Sequence, residues 1–192
     1  MAIEISGISK SFGEKQVLRG FDCTMKTGEV TSLMGSSGVG KTTLFNILLG
    51  LIPPDTGTID GLDPLRLSAV FQEDRLCENA NAVVNIRLVT GKAVSREEIM
   101  QALAEVGLDT ESIGKPVSQL SGGMRRRVAL LRALLAPAYD TLLLDEPFKG
   151  LDEETKARVM VYLKKKAAGK TMLIITHDYD EAEAMGGEIV VM

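Results

Sequence analysis

Gly35-Ser36-Ser37-Gly38-Val39-Gly40-Lys41-Thr42-Thr43 is the stretch that decides the fold. It fits the phosphate-binding pattern G-x-x-x-x-G-K-S/T at every defined position. Val30-Thr31-Ser32-Leu33-Met34 before it reads as a short buried strand. Leu44-Phe45-Asn46-Ile47-Leu48-Leu49 after it reads as the first turns of a helix that stops at Gly50. The residue types suit the chemistry. Glycines let backbone N–H groups close around a phosphate with no Cβ in the way. The helix start adds unpaired donors and partial positive charge. Lys41 can reach terminal phosphates, and the Thr42 hydroxyl can hold Mg²⁺. The competing reading is a plain Gly/Ser turn that opens a helix.

A chain of 192 residues is one domain, or a domain with a subdomain, and can bury a real core. Its net charge of −4 gives no global electrostatic case for nucleic acid as a partner. Apolar runs such as Leu142 to Leu144 are far too short to span a bilayer. Met1-Ala2-Ile3-Glu4-Ile5 has neither a basic start nor an apolar signal stretch, so the expected compartment is the cytosol. Cys23 and Cys77 fit no metal spacing and no disulfide framework, and read as reduced structural residues.

Around the loop, residues 2 to 34 read as strands and turns, with Ile3 and Ile5 alternating with polar residues. Pro53-Pro54-Asp55-Thr56-Gly57 is a turn cluster, followed by strand-like Thr58-Ile59-Asp60 and Leu67 to Phe71. Further on the pattern turns helical. Ser95-Arg96-Glu97-Glu98 is a capping box, followed by Ile99, Leu103 and Val106 at helical spacing and a stop at Gly107. Gly123 to Ala136 forms a second helix. Thr141 to Leu144 and Thr171 to Thr176 are unbroken apolar runs, as in parallel strands buried on both faces. Between them Asp152 caps a helix that ends near Gly169. The organisation is therefore α/β: a nucleotide-binding core with a β subdomain over 1–72 and 138–192, interrupted by a helical subdomain over 73–137.

Leu142-Leu143-Leu144-Asp145-Glu146 is an apolar strand that ends in two acids. Such a strand end lies beside the phosphate loop in a parallel sheet. Asp145 would help to hold Mg²⁺, and Glu146 would act on the attacking water as general base. Leu120-Ser121-Gly122-Gly123-Met124 supplies a second helix start with a hydroxyl and free N–H donors, either a second anion site or an ordinary Ser/Gly helix start. One phosphate loop and a separate anion site in a single chain suggest a nucleotide shared between two subunits.

With these motifs in this order, the chain resembles the ATP-binding cassette (ABC) ATPases over essentially its whole length. Gly35 to Thr43 matches the Walker A loop and Gln72 the Q-loop. Leu120 to Met124 matches the signature, Leu142 to Glu146 Walker B, Leu151-Asp152 the D-loop and His177-Asp178 the H-loop. The resemblance implies a P-loop NTPase (RecA-like) core with an antiparallel β subdomain and an inserted α-helical subdomain. It implies that Phe12 stacks on adenine, although Phe12 could also be a core aromatic. It implies that Gln72 touches Mg²⁺ or the attacking water and senses the membrane partner, and that His177, the one histidine, contacts the γ-phosphate. Asp152 would serve both as helix cap and as a contact across a dimer. Arg125-Arg126-Arg127 reads as a solvated helix face, with no nucleic-acid role.

The family implies an ATPase with ATP and Mg²⁺ as cofactors, working as a homodimer or heterodimer. Each ATP would lie between Lys41, Thr42, Asp145, Glu146 and His177 of one chain and Ser121, Gly122 and Gly123 of the other. An integral membrane permease, with or without a substrate-binding protein, would carry the substrate and dock on the helical insert near Gln72. The chain would then sit at the cytoplasmic face of the membrane. Phe71-Gln72-Glu73-Asp74-Arg75-Leu76 is similar to importers of the nitrate, sulfonate and taurine group. Two departures stand out. Met124 replaces the usual signature glutamine, and the segment from Lys41 to Gln72 is shorter than usual. The chain also ends soon after Glu188 to Met192, so no C-terminal regulatory domain is expected. The alternatives are a non-transport ABC ATPase, which would need a long coiled-coil insert or tandem cassettes, and a regulatory ATP-binding subunit.

Overall fold

The computed structural model describes residues 2–192. In chain order the elements are β1 (Ala2–Phe12), β2 (Lys15–Lys26), β3 (Val30–Met34), α1 (Lys41–Leu48), β4 (Thr56–Asp60), β5 (Leu67–Val70), α2 (Ala82–Thr90), α3 (Arg96–Glu105), α4 (Thr110–Gly114), α5 (Gly122–Leu134), β6 (Thr141–Asp145), α6 (Glu153–Lys166), β7 (Thr171–Ile175), α7 (Tyr179–Met185) and β8 (Glu188–Val191). They form two compact units. The first consists of residues up to Leu67 together with Tyr139–Glu146 and Gly169–Met192. The second consists of Ser68–Ala138 and Pro147–Ala168, so it holds the expected helical insert and also α6.

The first unit has an antiparallel and a parallel part. β1 pairs antiparallel with β2 on one side and β4 on the other. Ile3, Ile5 and Ile8 of β1 are all buried. The odd step from Ile5 to Ile8 would turn one of them outward in a regular strand. A register slip between Ile5 and Ile8 corrects this and keeps both inside. In the parallel part β6, β7, β3 and β8 lie side by side in that order. Every residue of β6 and β7 is buried, which accounts for their unbroken apolar runs. Leu33 and Asp145 both pair with Ile175, so β3, β6 and β7 end together at one edge.

The second unit is helical. Ser95 and Glu98 close the expected capping box at the start of α3. α2, α4 and α7 were not anticipated. Val83, Val84, Ile86 and Val89 make α2 rich in β-branched residues, which obscure a helical period. α2 packs on α5, α3 and α4. Its Asn85 is fully buried and replaces water for a turn with no regular structure. The Asn85 Oδ1 accepts from the Cys77 N–H at 2.7 Å, and its Nδ2 donates to the carbonyls of Cys77, Ala80 and Asn81. No helix among the described residues is long and apolar enough to cross a membrane.

Asn85→Ala takes the acceptor from the Cys77 N–H, while the carbonyls of Cys77, Ala80 and Asn81 keep their backbone donors. Urea unfolding of the variant is expected to show a loss of about 1–2 kcal/mol, the cost of one unpaired backbone donor and of the space that the buried amide filled. A loss below about 0.5 kcal/mol, typical of a surface substitution, would refute this role.

Candidate functional site

The loop after β3 wraps into α1 through backbone that only glycine adopts with ease. Gly40, at the helix start, has φ +122°, and a Cβ there would meet Leu18 Cδ2 at 2.6 Å and the Val17 carbonyl at 3.1 Å. α1 has no side-chain cap and no acid in its first turn. By contrast Ser95, Ser121 and Asp152 cap α3, α5 and α6. The first-turn N–H groups of α1 are therefore left uncapped by side chains, facing the loop. Lys41 Nζ donates to the carbonyls of Gly35 at 2.7 Å and Ser36 at 3.0 Å, so the ammonium is held over the loop. Ser37, Gly38, Val39 and Thr43 complete the loop and the first helical turn.

Two pairs assemble at the strand edge beside it. Thr42 Oγ1 lies 3.4 Å from Asp145 Oδ2, at the buried end of β6. A hydroxyl and a carboxylate converging there are hard oxygen ligands. No group of three or more acidic, histidine or cysteine residues suited to a metal occurs among the described residues. This donor set fits Mg²⁺, which takes one or two protein oxygens and fills its shell with phosphate and water. In the second pair His177 Nδ1 lies 2.9 Å from Glu146 Oε1.

Backbone constraints aim that second pair. Glu146 is one of the few non-glycine residues with positive φ, +52°. For such a residue this costs about 1–2 kcal/mol. Its N–H donates to the Ile175 carbonyl at 2.9 Å, which ties the turn to the end of β7. On the other side, the buried Thr176 hydroxyl donates to Glu181 at 2.6 Å and accepts from the Asp178 N–H. Asp178 in turn caps α7. His177 thus projects from a chain fastened before and after it. The hydrogen bond and negative charge of Glu146 raise the His177 pKa above its ordinary value, with smaller help from Glu181 and Asp178.

Phe12 is 52% exposed, with the Lys10 ammonium 5.8 Å from its ring centroid, so it is not a core aromatic. The remaining candidates belong to the second unit. Gln72, Ser121, Gly122, Gly123 and Asp152 all line one cavity of about 510 Å³. Ser121 accepts from the Met124 N–H at 3.3 Å. A Cβ on Gly123 would lie 2.9 Å from the Gly150 carbonyl, so this helix start sits tightly on the loop before Asp152. Asp152 accepts from the N–H and hydroxyl of Thr155, and these bonds lower its pKa.

The arginine run corrects the sequence reading. Arg126 and Arg127 are 3% and 8% exposed, not solvated. Arg127 donates to the carbonyls of Gly123, Val106 and Gly107, and Arg126 to Phe71 and Asp74. Their partners are far apart in sequence, and a charge count along a helix does not reveal them. The left-handed backbone of Glu146 was missed for the same reason.

The family model described as ABC transporter matches residues 18–149. An aliphatic sulfonates import ATP-binding protein of Rhodococcus jostii is 40% identical over 195 residues, covering 100% of this chain and 71% of that protein. One of the same description from Nocardia farcinica is 40% identical, covering 100% of this chain and 78% of its own length. Among solved structures, a dimeric ATP-binding cassette in a post-hydrolysis state with ADP and Pi superposes with a TM-score of 0.84. It is 29% identical and covers 99% of this chain and 94% of its own.

Because His177 is the only histidine, its titration can be followed by proton NMR without assignment. Its midpoint is expected above the ordinary value of about 6.5 and should fall back toward it in Glu146→Gln. A group with a raised folded pKa stabilises below its unfolded value, and that contribution fades as pH rises through the folded pKa. Equal midpoints in the two proteins would refute the pairing.

Proposed function

This chain belongs to the ABC transporter family, and we propose how its own residues carry the ATP-binding and ATP-hydrolysing work of a nucleotide-binding subunit. The observation that carries the proposal is the convergence of Thr42 with Asp145 and of Glu146 with His177 at one strand edge.

The N–H groups of Gly38, Gly40, Lys41 and Thr42 line the phosphates, and Lys41 neutralises their charge. Phe12 offers its exposed ring to adenine. Mg²⁺ held by Thr42 and Asp145, with Gln72 as a further ligand, would supply charge neutralisation at the phosphate oxygens. Glu146 takes a proton from water as the water oxygen attacks the γ-phosphorus; the bond to the bridging oxygen breaks, leaving ADP and phosphate. His177 keeps the Glu146 carboxylate oriented through Oε1, and its other ring nitrogen is available to the γ-phosphate. Ser121, Gly122 and Gly123 of a second chain close over the same nucleotide, with Asp152 at the contact. Met124 brings no polar group to that contact, so the backbone donors and Ser121 bear it alone.

Two copies then work against an integral membrane permease at the cytoplasmic face of the membrane. The relatives named for aliphatic sulfonate import support a small organosulfonate as cargo and import as direction, in line with the resemblance over Phe71 to Leu76. The Glu146–His177 pairing favours an active ATPase over a purely regulatory ATP-binding subunit.

Glu146→Gln is expected to keep ATP binding and to slow hydrolysis about 10²–10⁴-fold, the usual contribution of a general base. Light scattering of this variant should show a shift from monomer to dimer on adding Mg-ATP. Hydrolysis at the parent rate would refute the assignment of Glu146.

A further inference from the structure

Arg126 and Arg132 of α5 bond to the segment around Gln72 in a pattern that the nucleotide contacts do not explain. Arg126 Nη1 donates to the Phe71 carbonyl at 2.6 Å and to Asp74 Oδ1 at 3.2 Å. Arg132 Nη1 donates to the Arg75 carbonyl at 2.7 Å, and its Nη2 to the Asp74 carbonyl at 2.9 Å. Arg125 adds a longer ion pair to Asp74, at 3.9 Å. The segment itself is folded to receive them. Arg75 has positive φ, +47°, and its guanidinium lies 3.7 Å from the Phe71 ring centroid. The bonds therefore grip the residue before Gln72 and the two residues after Glu73. Gln72 and Glu73 stay exposed between those grips.

α5 is also the helix that Ser121, Gly122 and Gly123 begin. We infer that Arg126 and Arg132 are positioning residues, which hold Gln72 in fixed register with Ser121, Gly122 and Gly123. Two arms of the site, distant in sequence, then share one support. A guanidinium suits this task because its planar fork bonds two carbonyls at once and keeps its charge, whereas an ammonium is a single point. Asp74 supplies the counter-charge that lets Arg126 be buried. A displacement of the loop is passed directly to the start of α5, and a displacement of α5 to Gln72. The inference rests on the ATPase reading above for its kinetic consequence, and on the contacts alone for its mechanical one.

The test compares the parent with Arg132→Met, Arg132→Lys and Asp74→Asn, using amide hydrogen exchange and steady-state ATP hydrolysis well below each melting temperature. In Arg132→Met, exchange over residues 71–76 should speed up about tenfold or more while that of α1 is unchanged. The kcat should fall about tenfold with KM for ATP within about twofold, because nucleotide binding by the α1 loop is untouched. Arg132→Lys should recover only part of either effect. Asp74→Asn reports on the Arg126 side and carries the same two readouts should Arg132→Met fail to fold. Unchanged exchange over 71–76 overturns the inference. So does faster exchange with parent kcat, which makes the contacts a fold device only, or a parallel change of KM and kcat. A parent that does not hydrolyse ATP would instead refute the ATPase reading, and the exchange result would still decide whether the clamp exists.

Discussion

The parallel pairing of β6 with β7 and of β7 with β3 is the constraint from which the nucleotide site of the first unit follows. Leu33 and Asp145 flank Ile175 in register, so three chain segments leave the sheet at the same level. One becomes the phosphate loop, one the Asp145-Glu146 turn, one the His177 turn. β6 and β7 are apolar on both faces, so burial alone does not choose their register; bonds at the strand ends, from the Glu146 N–H to the Ile175 carbonyl and from the Thr176 N–H to the Leu33 carbonyl, close the ladders at this level. The strand register thus fixes the relative height of a lysine, two acids and a histidine that have no covalent reason to meet.

The strand edge places the groups, and local backbone aims them. Glu146 holds a left-handed conformation that its residue type does not favour, anchored by the bond from its N–H to Ile175. That turn points the carboxylate at His177 while Asp145 points at Thr42. Consecutive acids therefore serve two different partners. A buried carboxylate such as Asp145 is costly unless hydrogen-bonded or paired with a cation, which is why the hydroxyl beside it suits a metal ligand set.

Much of this was legible in the sequence because it is local. The loop from Gly35 to Thr43 carries its own glycine geometry, the apolar runs at Thr141 and Thr171 announce parallel strands, and Ser95 with Glu98 announces a helix start. α2 was not legible because Val83, Val84, Ile86 and Val89 suit a strand as well as a helix, and burial of Asn85 decides the matter through contacts with Cys77 and Ala80. The burial of Arg126 and Arg127 was illegible for a deeper reason. A guanidinium in the core is stable only when oxygens converge on it, and those oxygens are backbone carbonyls at Phe71, Val106 and Gly107. Every residue type offers a carbonyl, so no sequence pattern marks the partner.

The same logic explains why the second unit relies on arginine where an apolar core would be cheaper. The segment from Phe71 to Arg75 has no regular structure, so its carbonyls need donors from elsewhere. Apolar packing could bury such a segment but would leave those carbonyls unpaired and its position loosely set. Hydrogen bonds from a helix fix both position and orientation, since each is satisfied only over a few tenths of an ångström. Burying the charge of Arg126 carries a desolvation cost that Asp74 and the Phe71 carbonyl offset only while the loop stays in place. Loop displacement would therefore expose an unpaired buried charge. This penalty makes the Gln72 segment and α5 a single mechanical element, and it arises from Arg126, which a count of charges would assign to the solvent.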